Sequence, residues 1–549
     1  MLETDGSPQA ASRSCLLPIP EIVEWRRISS EYRCLHCGIN MIGEEKQPSP
    51  GWQFLRSKKW AILAISVLII VPCLWHRRIE AGDLGSHVYN AWLAQLIEKG
   101  QAPGLYLVRQ GNNVLFDWML LHVANVAGFA AAERIVVSAC VFIFFWGVFA
   151  FVAAASGRPP WFLAPSIAML AYGYSFNMGF LNYYLSIGLA CFSLALLWRR
   201  RGLERFLGLG IVPFVLLAHP LGFAWLVGTA LYLILWTQLP KWWNSAVLLI
   251  AIAALFIVRW YLANRAQFPV DWSDTPFYLL NGADQLVLYG DRYVWLAWTA
   301  LLFGIASFVF QARSSRRDKA SLRLLILPAQ LYLVAICATA LLPEDLRPSL
   351  YGGWIGLLVF RLTTISAIFG LCVLACLRPR KWQFAGFMAV AMVFFVFLYQ
   401  DTKALNRMES DSEKLFSGLP YGTRVIPTIG APEDSRVQFI GHLVDRACIG
   451  RCFTYSNYEP SSGQFRVRAR KGSPVATDSA DDSSDMEGGS YEVQDSDLPL
   501  VQIYQCDEAD PTRLCLHNLA AGETTGQAAG HAPTPPKPDN PAKSDASPK

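Results

Sequence analysis

In "GDLGSHVYNAWLAQLIEKG" (82–100), Asp83, His87 and Asn90 stand at i, i+4 and i+7, a spacing that sets three polar side chains on one flank of a helix. Leu84, Val88, Trp92 and Leu96, with Ala91 beside them, form the adjacent apolar stripe. The pattern predicts a helix along a membrane–water boundary, apolar stripe down and polar flank facing a cavity. A carboxylate held at such a boundary can take a proton from a hydroxyl as a general base. A plainer reading competes: aspartate is among the best N-cap residues, so Gly82-Asp83 is also an ordinary helix start, and Gly100 an ordinary end. Asp117, in "GNNVLFDWMLLHVANVAGFA" (111–130), is the second candidate acid, with Asn112 and Asn113 as hydrogen-bonding groups for hydroxyls.

The elements that must hold these residues are mostly apolar. Of 549 residues, 53% are hydrophobic and only 16% charged, with a mean hydropathy of +0.30; soluble chains carry about 25% charged residues. The net charge of +5 is gathered in short Arg/Lys clusters between apolar runs. That is a topology signal and not the broad basic face of a nucleic-acid binder. Walker, GxGxxG, HExxH and GxSxG patterns are absent, which speaks against soluble nucleotide chemistry in this chain.

The fold class expected is an all-α polytopic membrane protein with a small α/β or mostly β C-terminal domain. Eleven runs have spanning composition: 59–75, 135–156, 161–176, 180–198, 206–218, 221–238, 244–262, 293–311, 324–342, 354–377 and 383–400. Four basic clusters belong in the cytoplasm: Arg56, Lys58 and Lys59; Arg199, Arg200, Arg201 and Arg205; Arg313, Arg316, Arg317 and Lys319; Arg378, Arg380 and Lys381. All four fit if 113–130 does not cross and 206–238 is a hairpin turning at His219-Pro220; Arg77 and Arg78 then form the exception outside. The expected order is a cytoplasmic tail (1–58), a membrane domain (59–400) and an external domain (401–525) carrying an acidic, mobile insertion (474–490). A disordered end (526–549) follows. The localisation expected is the inner (plasma) membrane.

Thirteen cysteines divide accordingly. Cys15, Cys34 and Cys37 lie in the tail, where "CLHC" is a weak zinc pattern; six lie in apolar runs. Cys448, Cys452, Cys506 and Cys515 suit two disulfides in an oxidising compartment, with the pairing open. "TRVIPTIG", "QFRVRA" and "LPLVQIYQC" have strand composition. His442 and Asp445 read as a pair to which nothing else adds a site.

One span, an external loop opening on an acidic residue, an interfacial helix, then "GNNVLFDWMLLHVANVAGFAAAERIVVSACVFIFF" (111–145) form an order that resembles the membrane glycosyltransferases of the C type (GT-C fold). Protein O-mannosyltransferases and lipid A aminoarabinose transferases are examples. The resemblance runs over 59–400 in architecture and is specific across 77–156; the paired acidic motif common in these enzymes is reduced to Glu80 and Asp83. It implies a polyprenyl-phosphate sugar donor and an acceptor that is a glycan, lipid or protein, with membrane lipid around the site. Asp83 matches the acidic residue that acts on the acceptor or helps bind a metal, which makes a divalent cation a candidate cofactor.

The leaving phosphate then needs cations. Arg109 lies in the same loop, and Arg361 lies inside an apolar run, where arginine is costly unless it faces protein or a polar cavity. Arg292 and Arg347 read as loop charges, and His219 as a head-group contact or a cap on its hairpin. His87 and Asn90 complete the substrate-binding candidates. Two other classes remain: a transporter or flippase for a lipid-linked glycan, which predicts an internal repeat, and a non-catalytic envelope protein acting through residues 401–549.

Overall fold

The computed structural model describes residues 50–198, 202–273, 281–314, 319–347, 355–377, 379–432, 435–437, 441–507 and 510–526. The cysteines of the tail, Arg199, Arg200, Arg201, Arg316, Arg317, Arg378 and the Pro/Ala/Lys-rich end lie outside them. The described residues from Ile65 onward form one compact unit and those before it belong to another; the membrane helices from Phe129 onward, the sheets and the candidate site all belong to the former.

Eight helices among the described residues are long and apolar enough to cross a membrane: Phe129–Ser156, Leu181–Trp198, Pro220–Gln238, Asn244–Arg265, Asp291–Ser314, Leu322–Leu341, Leu358–Cys376 and Lys381–Phe416. The chain is a mostly α-helical membrane protein. The 113–130 run holds a helix of only 13 residues, Leu115–Ala127, about 20 Å long against a hydrocarbon core of about 30 Å. The 206–238 run is broken at His219, whose extended backbone (φ −163°, ψ 132°) separates Leu203–Ala218 from Pro220–Gln238. The His219 Nδ1 accepts from Leu221 N at 3.1 Å, so this histidine caps the second helix.

Three expected spans are not among the eight. The 59–75 run is helical in Pro50–Ile70 and then turns through a 3-10 segment, Val71–Cys73. Leu203–Ala218 has 16 residues. The 161–176 run is not one helix but a 3-10 turn (Trp161–Leu163), Ala164–Ala171 and Tyr174–Asn177. The break at Gly173 frees carbonyls in an apolar interior, where each must find a donor. Tyr184 donates to Ala171 O at 2.8 Å, and Asn177 Nδ2 to Tyr172 O and Gly173 O at 2.7 and 3.2 Å.

The boundary expected at 400/401 falls inside the 36-residue helix Lys381–Phe416. No Gly or Pro interrupts 401–416, so the helix continues for about 54 Å, well beyond a bilayer core. It leads into a four-stranded sheet ordered Cys452–Thr454, Thr423–Thr428, Leu500–Gln505, Leu514–Leu519, the first two pairings parallel and the last antiparallel. The strand expected in "QFRVRA" forms at Val467–Ala469 but pairs with Leu105–Leu107 of the first loop. The acidic insertion is no loose loop. Its helix Ala480–Gly488 is capped by Ser479 Oγ, which accepts from Asp482 N at 3.1 Å, and it buries Met486. The disulfides are Cys448–Cys452 and Cys506–Cys515.

The Leu84–Glu98 helix is covered on both flanks: Leu84, Tyr89 and Leu93 are fully buried, and so are Ser86 and Asn90 on the polar side. Gly441–Ala447 and Leu105–Leu107 pack against this helix, so its polar flank is covered where an open cavity was expected. Arg446 fastens this packing. It is buried among three carboxylates, with Nη1 3.0 Å from Glu133, and Nη2 2.5 Å from Glu409 and 3.4 Å from Glu80. It also donates to Ile79 O at 3.0 Å. Burial opposes the guanidinium charge, yet Glu133, Glu409 and Glu80 outweigh it and hold its pKa well above the ordinary value. Removing one partner of a buried ion cluster costs about 3–5 kcal/mol. Arg446→Gln should therefore lower the thermal unfolding midpoint of the detergent-solubilised protein by many degrees, while the same change at exposed Arg451 leaves it in place; equal midpoints would show that the cluster does not fasten the fold.

Candidate functional site

The turn before the Leu84–Glu98 helix is held from two sides. Ile79 N donates to Glu133 Oε1 at 3.0 Å, while Gly82 N and Asp83 N donate to Asn177 O and Met178 O at 2.7 and 3.1 Å. Gly179 makes the second contact feasible: its φ is +77°, and a Cβ there would stand 2.3 Å from Asp83 N. Asp83 is the N-cap residue by position, yet its side chain makes no cap hydrogen bond. The carboxylate is left for other partners.

Its neighbours are cationic. His442 Nε2 stands 3.7 Å from Asp83 Oδ1, and His442 Nδ1 stands 3.1 Å from Oδ2 of the buried Asp445. The imidazole thus sits between two carboxylates. The contact depends on Gly85, where a Cβ would be 2.0 Å from His442 O; any larger residue would push the Gly441–Ala447 helix away. Burial works against the His442 imidazolium, but the Asp445 hydrogen bond and the charges of Asp445 and Asp83 hold its pKa up at about 10. Arg361, in the first turn of Leu358–Cys376, lays its guanidinium 4.2 Å from the Phe180 ring centre. Its Nε is buried without a hydrogen-bond partner, and Asp83 is the carboxylate whose charge acts on it most. Tyr183 donates to Arg361 O at 2.6 Å and meets the His219 ring edge-on at 5.4 Å, which ties three expected residues into one neighbourhood. Arg436 lies between the rings of Tyr174 and Phe360, at 4.4 and 4.6 Å, and pairs with Asp284 at 3.2 Å.

A second group follows one turn along the helix. His87 Nδ1 lies 2.6 Å from Asp117 Oδ1, and Asn182 Nδ2 donates to Asp117 Oδ2 at 2.7 Å. Asn90 accepts from Asn457 Nδ2 at 2.9 Å. Burial opposes the His87 charge, but Asp117 outweighs it and raises the pKa to about 9. Glu459, buried opposite, is pushed up to about 8 by burial, against the pull of His87. His87, Asn90, Gln110, Asp117, Glu459 and Arg466 line a recess between the first loop and the C-terminal region.

The first-loop acids, His87, Asn90, His219 and Arg361 are therefore brought to one end of the bundle. Arg109 is exposed beyond the Leu105–Leu107 strand, and Asn112 is half-buried. Asn113 contributes its carbonyl, which accepts from Asn182 Nδ2 at 3.3 Å. Arg292 is bound to Gln400 and Asp401 and stacked on Phe397, and Arg347 is exposed. The surroundings of Asp83 do not fit a divalent cation: His442 and Arg361 are cationic, and no cluster of three or more His, Cys, Asp or Glu among the described residues is arranged to hold a metal. The sequence reading missed Asn182, Arg436, Asn457 and Glu459. Only the His442–Asp445 spacing signalled the C-terminal share, and nothing local pointed it at Asp83.

No protein-family model, curated protein or solved structure matches this chain.

The Glu459 carboxyl gives that geometry a pH signature. Its folded pKa of about 8 lies above the ordinary 4.5, so the folded state holds the extra proton and loses stability as pH rises from about 4.5 through about 8. Glu459→Gln should flatten the stability–pH curve across that window when unfolding is followed at fixed ionic strength. A wild-type slope retained in the variant would remove Glu459 as its source.

Proposed function

We propose that this chain is a polytopic membrane glycosyltransferase of C-type architecture that moves a sugar from a polyprenyl-phosphate donor to an acceptor hydroxyl at the outer membrane face. The observation that carries the reading is the Asp83 carboxylate, released from capping, facing His442 and within the electrostatic reach of Arg361. As general base, Asp83 takes the proton of the acceptor hydroxyl. The hydroxyl oxygen attacks the anomeric carbon, and the bond from that carbon to the phosphate oxygen breaks. The departing phosphate gains negative charge, which Arg361, with Arg436 behind it, offsets in a low-dielectric pocket. His442 is a positioning residue: its imidazolium, anchored on Asp445, keeps the Asp83 carboxylate aimed.

The His87–Asp117–Asn182 group and Glu459 supply donors and acceptors suited to sugar hydroxyls. The GT-C resemblance, a topology with the Asp83 end outside, and the identity of the sugar belong to the same proposal. A transporter reading predicts polar groups through the spans and an internal repeat. The ionisable groups around Asp83 and His87 gather instead at one end of the bundle.

Asp83→Asn keeps the shape and removes the base. Transfer measured in membranes with a polyprenyl-phosphate sugar should fall about 10²–10⁴-fold, with expression and unfolding midpoint unchanged. Undiminished transfer would end the role given to Asp83. His442→Gln should lose less and shift the pH profile of the rate, whereas a purely structural His442 would change protein yield and leave the profile alone.

A further inference from the structure

Away from Asp83, Arg77, Arg78 and Arg134 line a recess with Ala130, Ala131 and Ile135. A second recess opens beside it, sharing Arg77, Arg78 and Ala130 and adding Arg446 and Arg451. The charges are uneven. Five guanidiniums (Arg77, Arg78, Arg134, Arg446 and Arg451) face the carboxylates of Glu133 and Glu413 in the lining, with Glu80 and Glu409 behind them on Arg446 and Arg78. Glu413 is shared by Arg77 and Arg78, and the Arg77 side chain is still 67% exposed. Arg134 donates to carbonyl oxygens, Arg77 O at 2.7 Å and His76 O at 3.4 Å, and among the described residues no carboxylate pairs with it.

The rim is apolar. Ala130, Ala131 and Ile135 belong to the first turns of the apolar Phe129–Ser156 helix. Ile135 is 53% exposed, and Leu74, just before the arginines, 57%. A surface that presents guanidiniums on one side and bare aliphatic groups on the other matches the depth at which acyl chains meet phosphate. A guanidinium also suits phosphate better than an ammonium, through its paired N–H donors.

We propose that this recess binds the phosphate of an anionic phospholipid, with Arg77 and Arg134 as its contacts and the acyl chains against Leu74 and Ile135. The site shares no lining residue with the His87–Asp117 recess and does not depend on the glycosyltransferase reading. Its ligand is a structural lipid.

The test is native mass spectrometry of the full-length protein in neutral detergent, supplied with phosphatidylglycerol or phosphatidylcholine of equal chain length. One phosphatidylglycerol should be retained at the higher collision energy that strips phosphatidylcholine. Arg77→Gln and Arg134→Gln should each weaken retention about five-fold, with the pair reducing it to the phosphatidylcholine level. Arg77 is exposed, so its single variant keeps the fold; if the double variant loses its unfolding midpoint, the Arg77→Gln comparison decides alone. Equal retention of the two lipids overturns the proposal, as does retention indifferent to Arg77→Gln. Displacement of the lipid by millimolar inorganic phosphate also overturns it, by making the site one for free phosphate.

Discussion

A single buried guanidinium sets the geometry of this protein. Arg446 meets Glu80 from the first loop, Glu133 from the Phe129–Ser156 helix and Glu409 from the Lys381–Phe416 helix, three elements far apart in the chain. A buried ion cluster gains little over well-packed apolar side chains, because desolvation offsets the attraction, but leaving one member unpaired is expensive. The cluster therefore acts less as a source of stability than as a selector of one arrangement. His442 stands four residues before Arg446 on the same short helix, one turn away. Seating Arg446 thereby brings His442 to Asp83.

That coupling explains how a C-terminal region comes to complete a site in the first loop. Gly85 and Gly179 permit the approach of backbone from two directions, and the β-pairing of Leu105–Leu107 with Val467–Ala469 holds the far side of the recess. The site is built by contact between regions, and its electrostatics follow. Each histidine is paired with an aspartate, His442 with Asp445 and His87 with Asp117, which keeps both imidazoles charged near neutrality, while burial keeps Glu459 protonated there. Charge is thus fixed on both sides of the Asp83 carboxylate before any ligand arrives.

The same acids account for the arginines that depart from the charge pattern along the chain. Arg77 and Arg78 follow an apolar run and were the exception to the expected topology; Arg78 is bound to Glu409 and Glu413 and Arg77 to Glu413. Arg78 is thereby held inside an ion network, while Arg77 keeps most of its side chain exposed.

Local order in the sequence determined a good deal. The apolar runs, the break at His219-Pro220, the short helix in 113–130 and the helix opening after Asp83 all follow from composition, proline and 3.6-residue periodicity, which act over a few neighbours. Tertiary structure decided the rest. The amphipathic stripe of Leu84–Glu98 was legible, but not that its polar flank would be covered. The strand composition of "QFRVRA" was legible, but not its partner in the first loop. Asp83 is the clearest case. Its position at a helix head is written in the sequence, while the freedom of its carboxylate depends on the backbone bonds from Asn177 and Met178, the imidazole of His442 and the field of Arg361. Those partners lie far along the chain, and spacing within a helix or strand carries no information about contacts at that range; only the packing of the whole chain brings them to one carboxylate.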